Sequence, residues 1–313
     1  LASRGYKQAF MCGSDVAFGG RKAYFLNHGL NETDLLDYKF YEGNHYHTDQ
    51  YGEPIVPANY FEDVNKWWGF EDFKLFNFAK EYLIKTSQAT VQSNIPFNFM
   101  MLTVDTHFAD GYKDVINEGV YEEIFDDQYA NVYRANDKQV LSFVDWFFYS
   151  GDIPEEVSRN TSFVLVGDHE TMDSDFCINV DPLYRRRTFV SYLNSGVARD
   201  ITPRIGIERW NEPVSDNSSS KDGGDADQGD KQIEFDPSCE RTYTAMDTFP
   251  SVLASMGVKQ RKSDGTIGEI GRLGIGTNLF SGKQTLAEEY GDDGIEYISH
   301  EFMKTSTLLR NLF

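Results

Sequence analysis

The chain has 313 residues, of which 40% are hydrophobic and 15% aromatic, enough to bury a substantial core and to fill one large α/β domain or two small ones. Its 29 basic and 50 acidic residues leave a net charge of −21. That balance excludes an extended nucleic-acid interface or electrostatic adhesion to an anionic membrane surface, both of which depend on clustered Lys and Arg.

From Gly5 to Cys12 a short strand is expected, preceded by a helical turn at Leu1–Tyr6 that suggests a piece cut from a longer protein. Gly13-Ser14-Asp15 and Phe18-Gly19-Gly20-Arg21 follow it. Arg21 beside a Gly-Gly turn is a candidate phosphate-gripping residue, because the guanidinium fork suits phosphate and glycine lets backbone approach a ligand. A polar, Tyr-rich loop carrying His45 and His47 reads as solvated. Beyond Trp67-Trp68-Gly69, the spacing of Phe70, Phe73, Phe76, Ala79 and Leu83 predicts an amphipathic helix.

Phe97–Val104 reads as a strand that runs out into Asp105-Thr106-His107. Val140, Phe143, Val144 and Phe147 predict a helix over 137–148. Ser162–Val166 is a second strand, and it ends at Gly167-Asp168-His169 in the same manner. Carboxylate and imidazole are ligands for divalent metals, and ligand crevices of α/β sheets open past the carboxyl ends of strands. Asp168 and His169 are therefore candidate metal ligands. His107 is a candidate for hydrogen-bonding substrate or protonating a leaving alkoxide.

Thr188–Leu193 is expected to be a further strand, with Arg185-Arg186-Arg187 flanking its edge. From about 213 to 232 the composition collapses to Ser, Asp, Gly and Asn, which predicts a mobile acidic loop. A helix carrying Met246, Phe249, Val252 and Leu253 follows. Pro250 would place its N-terminus near Thr248. Two last helices are expected over 285–290 and 295–312, with His300 on the surface. Cys12, Cys177 and Cys239 are too few for a disulfide scaffold, although a Cys177–Cys239 bridge stays open for an exported domain. Strands alternating with helices predict an α/β fold with a mixed, mainly parallel central sheet and helices on both faces.

The order of these motifs resembles a known family, the lipoteichoic acid synthase-like phosphoglycerol transferases of the alkaline phosphatase/sulfatase superfamily. The resemblance rests on Arg4-Gly5-Tyr6, Gly13-Ser14-Asp15, Phe18-Gly19-Gly20-Arg21, His28-Gly29, Trp68-Gly69-Phe70-Glu71-Asp72, Thr103–His107, Val166–His169, Asp247–Ala254 and Arg272–Ser281. It implies an alkaline phosphatase/sulfatase-like catalytic domain over residues 1–313, facing outward from the bacterial cell membrane. It also implies a divalent metal, manganese first with magnesium or zinc as alternatives, held by a Glu, a nucleophilic Thr and an Asp-His pair. By motif position Asp168 and His169 match that pair, His107 a substrate-site histidine and Arg21 a substrate-phosphate arginine. The implied reaction passes phosphoglycerol from a phosphatidylglycerol-like lipid donor to an envelope glycan or polyglycerolphosphate acceptor. Gly19 stands where the family has a tryptophan. The family's Glu and Thr lie before the first strand, so the expectation is a chain holding half of the metal shell and inactive alone. A sulfatase or phosphodiesterase of the same superfamily, and a non-catalytic envelope-binding remnant, are the alternatives.

Overall fold

A computed structural model describes residues 1–44, 68–107, 109–113, 121–178, 186, 188–195 and 241–304. His45, His47, Trp67, Arg185, Arg187, Cys239 and the acidic stretch 213–232 lie outside the described residues. The chain divides into two compact units, residues 1–161 with 168–188, and residues 162–167 with 189–313.

The first unit is built on β1 (Lys7–Cys12), which is buried from Gln8 onward. Alternation sends Phe10 and Cys12 to one face and Ala9 and Met11 to the other. After the chain leaves β1, α1 (Arg21–Asn27) returns Phe25 and Leu26 onto Phe10 and Cys12, where Val16, Leu30 and Leu35 complete an apolar cluster. Burial pushes the Cys12 thiol pKa up, marking it as a core side chain. A short β2 (Leu35–Leu36) pairs parallel with β1, and α2 (Tyr38–Asn44) follows. Tyr41 of α2 stacks on Phe78 at 4.1 Å between ring centroids.

Helix α3 (Asp72–Ser93) packs against β1 and β3 (Phe97–Leu102), burying Phe76, Ala79 and Leu83 as its periodicity predicts. It also buries Leu75 and Phe78, so the apolar stripe is wider than the predicted face. Asn94, in the left-handed conformation, ends the helix and turns the chain into β3. The resulting sheet is parallel throughout, in the order β2-β1-β3, with Cys12 opposite Leu102.

Helix α4 (Gln128–Tyr149) is far longer than the predicted 137–148. Its first turns read as polar because Asn131 faces the preceding loop. That amide accepts from the N–H groups of Ile124 and Phe125 at 3.0 and 2.9 Å, while Asp127 caps the helix by accepting from the N–H of Ala130. Phe76 of α3 and Phe143 of α4 join the two helices at 5.1 Å, and a short α5 (Glu155–Ser158) closes the unit.

In the second unit β4 (Phe163–Val166) pairs antiparallel with β5 (Val190–Leu193). Among the described residues it is therefore not part of the parallel sheet. Helix α6 (Ala245–Ser255) begins five residues before Pro250, correcting the expected start near Thr248. The cap is Thr244, whose N–H donates to the Asp247 carboxylate at 2.8 Å. Proline within a helix leaves the carbonyl four residues earlier without its donor, and the backbone of Gly276 occupies the space beside that Met246 oxygen. A Cβ on Gly276 would lie 2.0 Å from it. The buried face of α6 is Asp247, Pro250, Ser251, Ala254 and Ser255, whereas Met246 and Phe249 are exposed. Of the four apolar residues read on this helix, Val252 and Leu253 are half-buried.

Two small ribbons follow, β6 (Lys259–Arg261) with β7 (Ile267–Glu269) and β8 (Arg272–Leu273) with β9 (Gly276–Thr277). Helix α7 (Leu286–Met303) is two helical pieces that meet at Gly291, whose φ of 69° and ψ of −161° are not helical, as the two expected last helices require, and His300 is exposed on the second piece as expected. The long Arg272–Ser281 motif is a packing device. Asp247 accepts from the Thr277 N–H at 2.7 Å and Ser251 Oγ from the Leu279 N–H at 2.9 Å, while Arg241 grips the Glu288 carboxylate in two-pronged fashion.

Candidate active site

Because β1 and β3 are parallel and in register at Cys12 and Leu102, the loops beyond them leave the same edge of the sheet. Two devices hold these loops. The Phe70 N–H donates to the Gly13 carbonyl at 2.9 Å, and backbone packs on backbone so closely that a Cβ on Gly69 would lie 2.3 Å from the Gly13 carbonyl carbon. The Asp72 carboxylate, fully buried at the start of α3, accepts from the N–H groups of Val104 and Asp105 at 2.7 and 3.0 Å and from Asn136 Nδ2 at 2.9 Å. Asp105 answers by accepting from the Asp72 N–H at 3.1 Å. The Trp68–Asp72 and Thr103–His107 motifs are in this way two halves of one clasp.

Arg21 and His107 emerge from this edge, joined by aromatic rings. The Arg21 guanidinium lies over the Phe18 ring at 5.5 Å, Phe18 meets Trp68 at 5.9 Å, and Trp68 lies against the His107 ring at 4.6 Å. Arg21 is held in place. Its Nε donates to the Phe18 carbonyl at 3.0 Å, and its Nη2 donates to Ser14 Oγ and the Asp15 carbonyl at 2.9 and 3.0 Å. Asp15 turns its own carboxylate to Lys39 at 2.6 Å, which holds its pKa below the usual carboxylate value.

The Asp168-His169 segment is tied to the same region through Tyr129. The Tyr129 hydroxyl donates to the Thr106 carbonyl at 2.6 Å and lies 2.9 Å from Thr171 Oγ1. Asp173 accepts from the Asp110 N–H at 3.1 Å, and its pKa is lowered by the backbone N–H groups of Phe176 and Asp110. Beside them, burial and the Tyr129 hydroxyl raise the Tyr133 phenol well above its usual value, so it stays a neutral hydroxyl. Arg186 fastens the loop's far end, donating to the Thr171 carbonyl at 2.9 Å and lying 3.3 Å from the Glu170 carboxylate.

Asp168 and His169 themselves are exposed. His169 Nδ1 lies 2.8 Å from the Glu170 carbonyl. A carbonyl only accepts, so Nδ1 donates there, and Nε2 is the ring nitrogen left for a metal ion, the division of roles seen in metal-binding histidines. Nε2 lies 3.4 Å from Asp168 Oδ2. Two ligands about 2.0–2.1 Å from one tetrahedral metal ion stand roughly 3.3–3.4 Å apart. The pair thus fits a divalent ion in chemistry and spacing, as two donors. Among the described residues no three His, Cys, Asp or Glu side chains gather into a metal cluster.

The roles of Asp72, Trp68 and Tyr129 were not read from sequence. Trp68 belongs to one of the motifs, but its contact with His107 joins positions far apart in sequence. Tyr129 lies before the predicted helix, with no motif to mark it.

No family profile matches the chain. It is 22% identical over 211 residues, 67% of its length, to phosphoglycerol transferase I of Xanthomonas campestris pv. campestris (strain B100), of which the match covers 26%. It is 23% identical over 211 residues, with the same shares covered, to phosphoglycerol transferase I of Xanthomonas euvesicatoria pv. vesicatoria (strain 85-10). The chain thus spans about a quarter of the length of these curated relatives. The resemblance to lipoteichoic acid synthase-like phosphoglycerol transferases read from the motif order is borne out by them. Among solved structures, the lipoteichoic acid synthase LtaP from Listeria monocytogenes aligns with a TM-score of 0.35 and 18% identity, covering 56% of this chain and 36% of that one.

Proposed function

We propose that this chain is part of a metal-dependent phosphoglycerol transferase acting at the outer face of a bacterial cell membrane. The reading rests on one observation above the others. The Phe18–Arg21, Trp68–Asp72 and Thr103–His107 motifs, which lie far apart in sequence, are drawn into one cluster at the carboxyl edge of a parallel sheet. In this reading Asp168 and His169 hold a divalent ion, manganese first, which supplies charge neutralisation for a phosphoryl oxygen when bound. Arg21 holds the substrate phosphate with a guanidinium already fixed by Ser14, Asp15 and Phe18, so little side-chain entropy is lost on binding. His107 hydrogen-bonds the substrate or the leaving alkoxide, with its ring held against Trp68. The donor is a phosphatidylglycerol-like lipid, and the acceptor a hydroxyl of an envelope glycan or polyglycerolphosphate. Among the described residues no helix is long and apolar enough to cross a membrane.

Mn²⁺ titrated into this chain and followed by electron paramagnetic resonance tests the ligand pair. Weak binding is expected, and its loss in both Asp168→Ala and His169→Ala. Undiminished binding in either variant removes that residue from the metal site. Sn-glycerol 3-phosphate titrated by calorimetry tests the other half, with Arg21→Ala expected to weaken it roughly ten- to a hundred-fold.

A further inference from the structure

Beside Arg21 the first unit carries an open surface pocket of about 390 Å³, within the range of roughly 300–1,000 Å³ typical of small-molecule sites. Its walls include Phe10, Phe25 and Met101 from the sheet edge and α1, together with Tyr24, Gly19 and Arg21. Arg21 is the one charged residue among its lining, in a protein of net charge −21. Its Nη1 has no hydrogen-bond partner among the described residues, because Ser14, Asp15 and Phe18 engage Nε and Nη2. Around the same turn Phe18 and Tyr24 are 62% and 58% exposed, two large aromatic rings left in water. No atom lies within 4 Å of where a Gly19 Cβ would stand, so the absent side chain leaves this space open.

An open, mainly apolar pocket with a single fixed cation fits an amphiphile with an anionic head. We propose that this pocket takes the acyl portion of a single anionic phospholipid whose phosphate rests on Arg21, and that Gly19 sets its capacity. The inference rests on the functional reading above and deepens it by giving the lipid body of the donor a place. Burial of acyl methylenes against Phe10, Phe25 and Met101 adds to what the phosphate contact alone supplies. Affinity for a lipid phosphodiester therefore exceeds that for the bare glycerol phosphate.

The test is calorimetric binding to this chain of three probes below their micellar concentrations: dihexanoyl phosphatidylglycerol, dihexanoyl phosphatidylcholine and sn-glycerol 3-phosphate. Dihexanoyl phosphatidylglycerol is expected to bind about tenfold or more tighter than either of the others. Gly19→Trp should reduce that affinity about tenfold and leave glycerol phosphate within about twofold. Residue 19 has φ +64°, so Gly19→Asn, which tolerates that conformation and fills less of the space than tryptophan, separates backbone strain from filling and should weaken the lipid clearly less than Gly19→Trp does. Tyr24→Ala, on an exposed position, should also weaken the lipid selectively, because it removes apolar surface without changing the charge beside Arg21. Equal affinity for lipid and glycerol phosphate, indifference of the lipid to Gly19→Trp, or an equal loss in Gly19→Asn overturns the pocket assignment while leaving the Arg21 phosphate site standing. Failure of glycerol phosphate to depend on Arg21 instead brings down the functional reading, and this inference with it.

Discussion

The side chain of Asp72 holds the backbone of Asp105, and the side chain of Asp105 holds the backbone of Asp72, at 3.0 and 3.1 Å. The exchange joins the first turn of α3 to the loop that carries His107, with both carboxylates buried. Each buried carboxylate offsets its desolvation through charge-assisted bonds to N–H groups. The N–H of Asp72 also lies in the first turn of a helix, where donors lack intrahelical partners.

Asp72→Ala leaves the N–H groups of Val104 and Asp105 and the Asn136 amide without their acceptor. A loss of about 3 kcal/mol is expected in urea unfolding. Asp72→Asn keeps one acceptor oxygen and should lose less. A fully stable Asp72→Ala protein would show that the clasp contributes nothing net.

Trp68 and His107 give a spectroscopic prediction. With the rings 4.6 Å apart, the indole ring current acts on the imidazole protons. Trp68→Leu should move the His107 ring resonances downfield toward exposed-histidine positions while the rest of the spectrum holds. It should also weaken glycerol phosphate binding less than Arg21→Ala does. Unmoved His107 resonances would mean the stack does not form in solution.

How much of this was legible in the sequence follows from what each residue depends on. Strands β1, β3, β4 and β5 were readable because consecutive apolar residues and flanking turn signals are local. Helix α3 was readable from its 3.6-residue period. The start of α6 was misplaced because Pro250 was given its usual first-turn position, whereas the backbone at Gly276 accommodates the orphaned Met246 carbonyl. The start of α4 was missed because Asn131 serves a loop rather than the core. His107, Asp168 and His169 stand out as residue types at strand ends, and Arg21 as a guanidinium beside a Gly-Gly turn. The ring chain from Arg21 to His107 and the tether through Tyr129 depend on long-range packing that no local pattern encodes.

Gly276→Ala tests the packing account of the Arg272–Ser281 motif. Its Cβ would meet the Met246 oxygen, a backbone atom that cannot swing aside. Destabilisation of about 3 kcal/mol is expected in chemical unfolding. Gly282, a few residues on, has nothing within 4 Å of its Cβ position. Gly282→Ala should stay within about 0.5 kcal/mol of the parent. Similar values for the two variants would contradict the close approach.

Glu288 supplies the pH prediction. Burial acts to raise its pKa, but the hydrogen bonds from Arg241 and from the Thr285 N–H outweigh it and hold the carboxyl below its ordinary value of 4.5. The folded protein therefore favours the ionised form. The stabilisation is complete above about pH 4.5 and is lost as pH falls through the lower folded-state value. Glu288→Gln removes the titrating group while keeping its shape. At pH 7 it should cost about 1–2 kcal/mol, less than a fully buried pair because Arg241 and Glu288 keep some contact with solvent. Melting temperatures of the two proteins, compared from pH 7 down to pH 3, should differ most at neutral pH. The gap should close below pH 4.5, where the parent loses its advantage. A gap that stays constant across this range would show that the loss in Glu288→Gln comes from the helix cap at Thr285 rather than from the ion pair with Arg241.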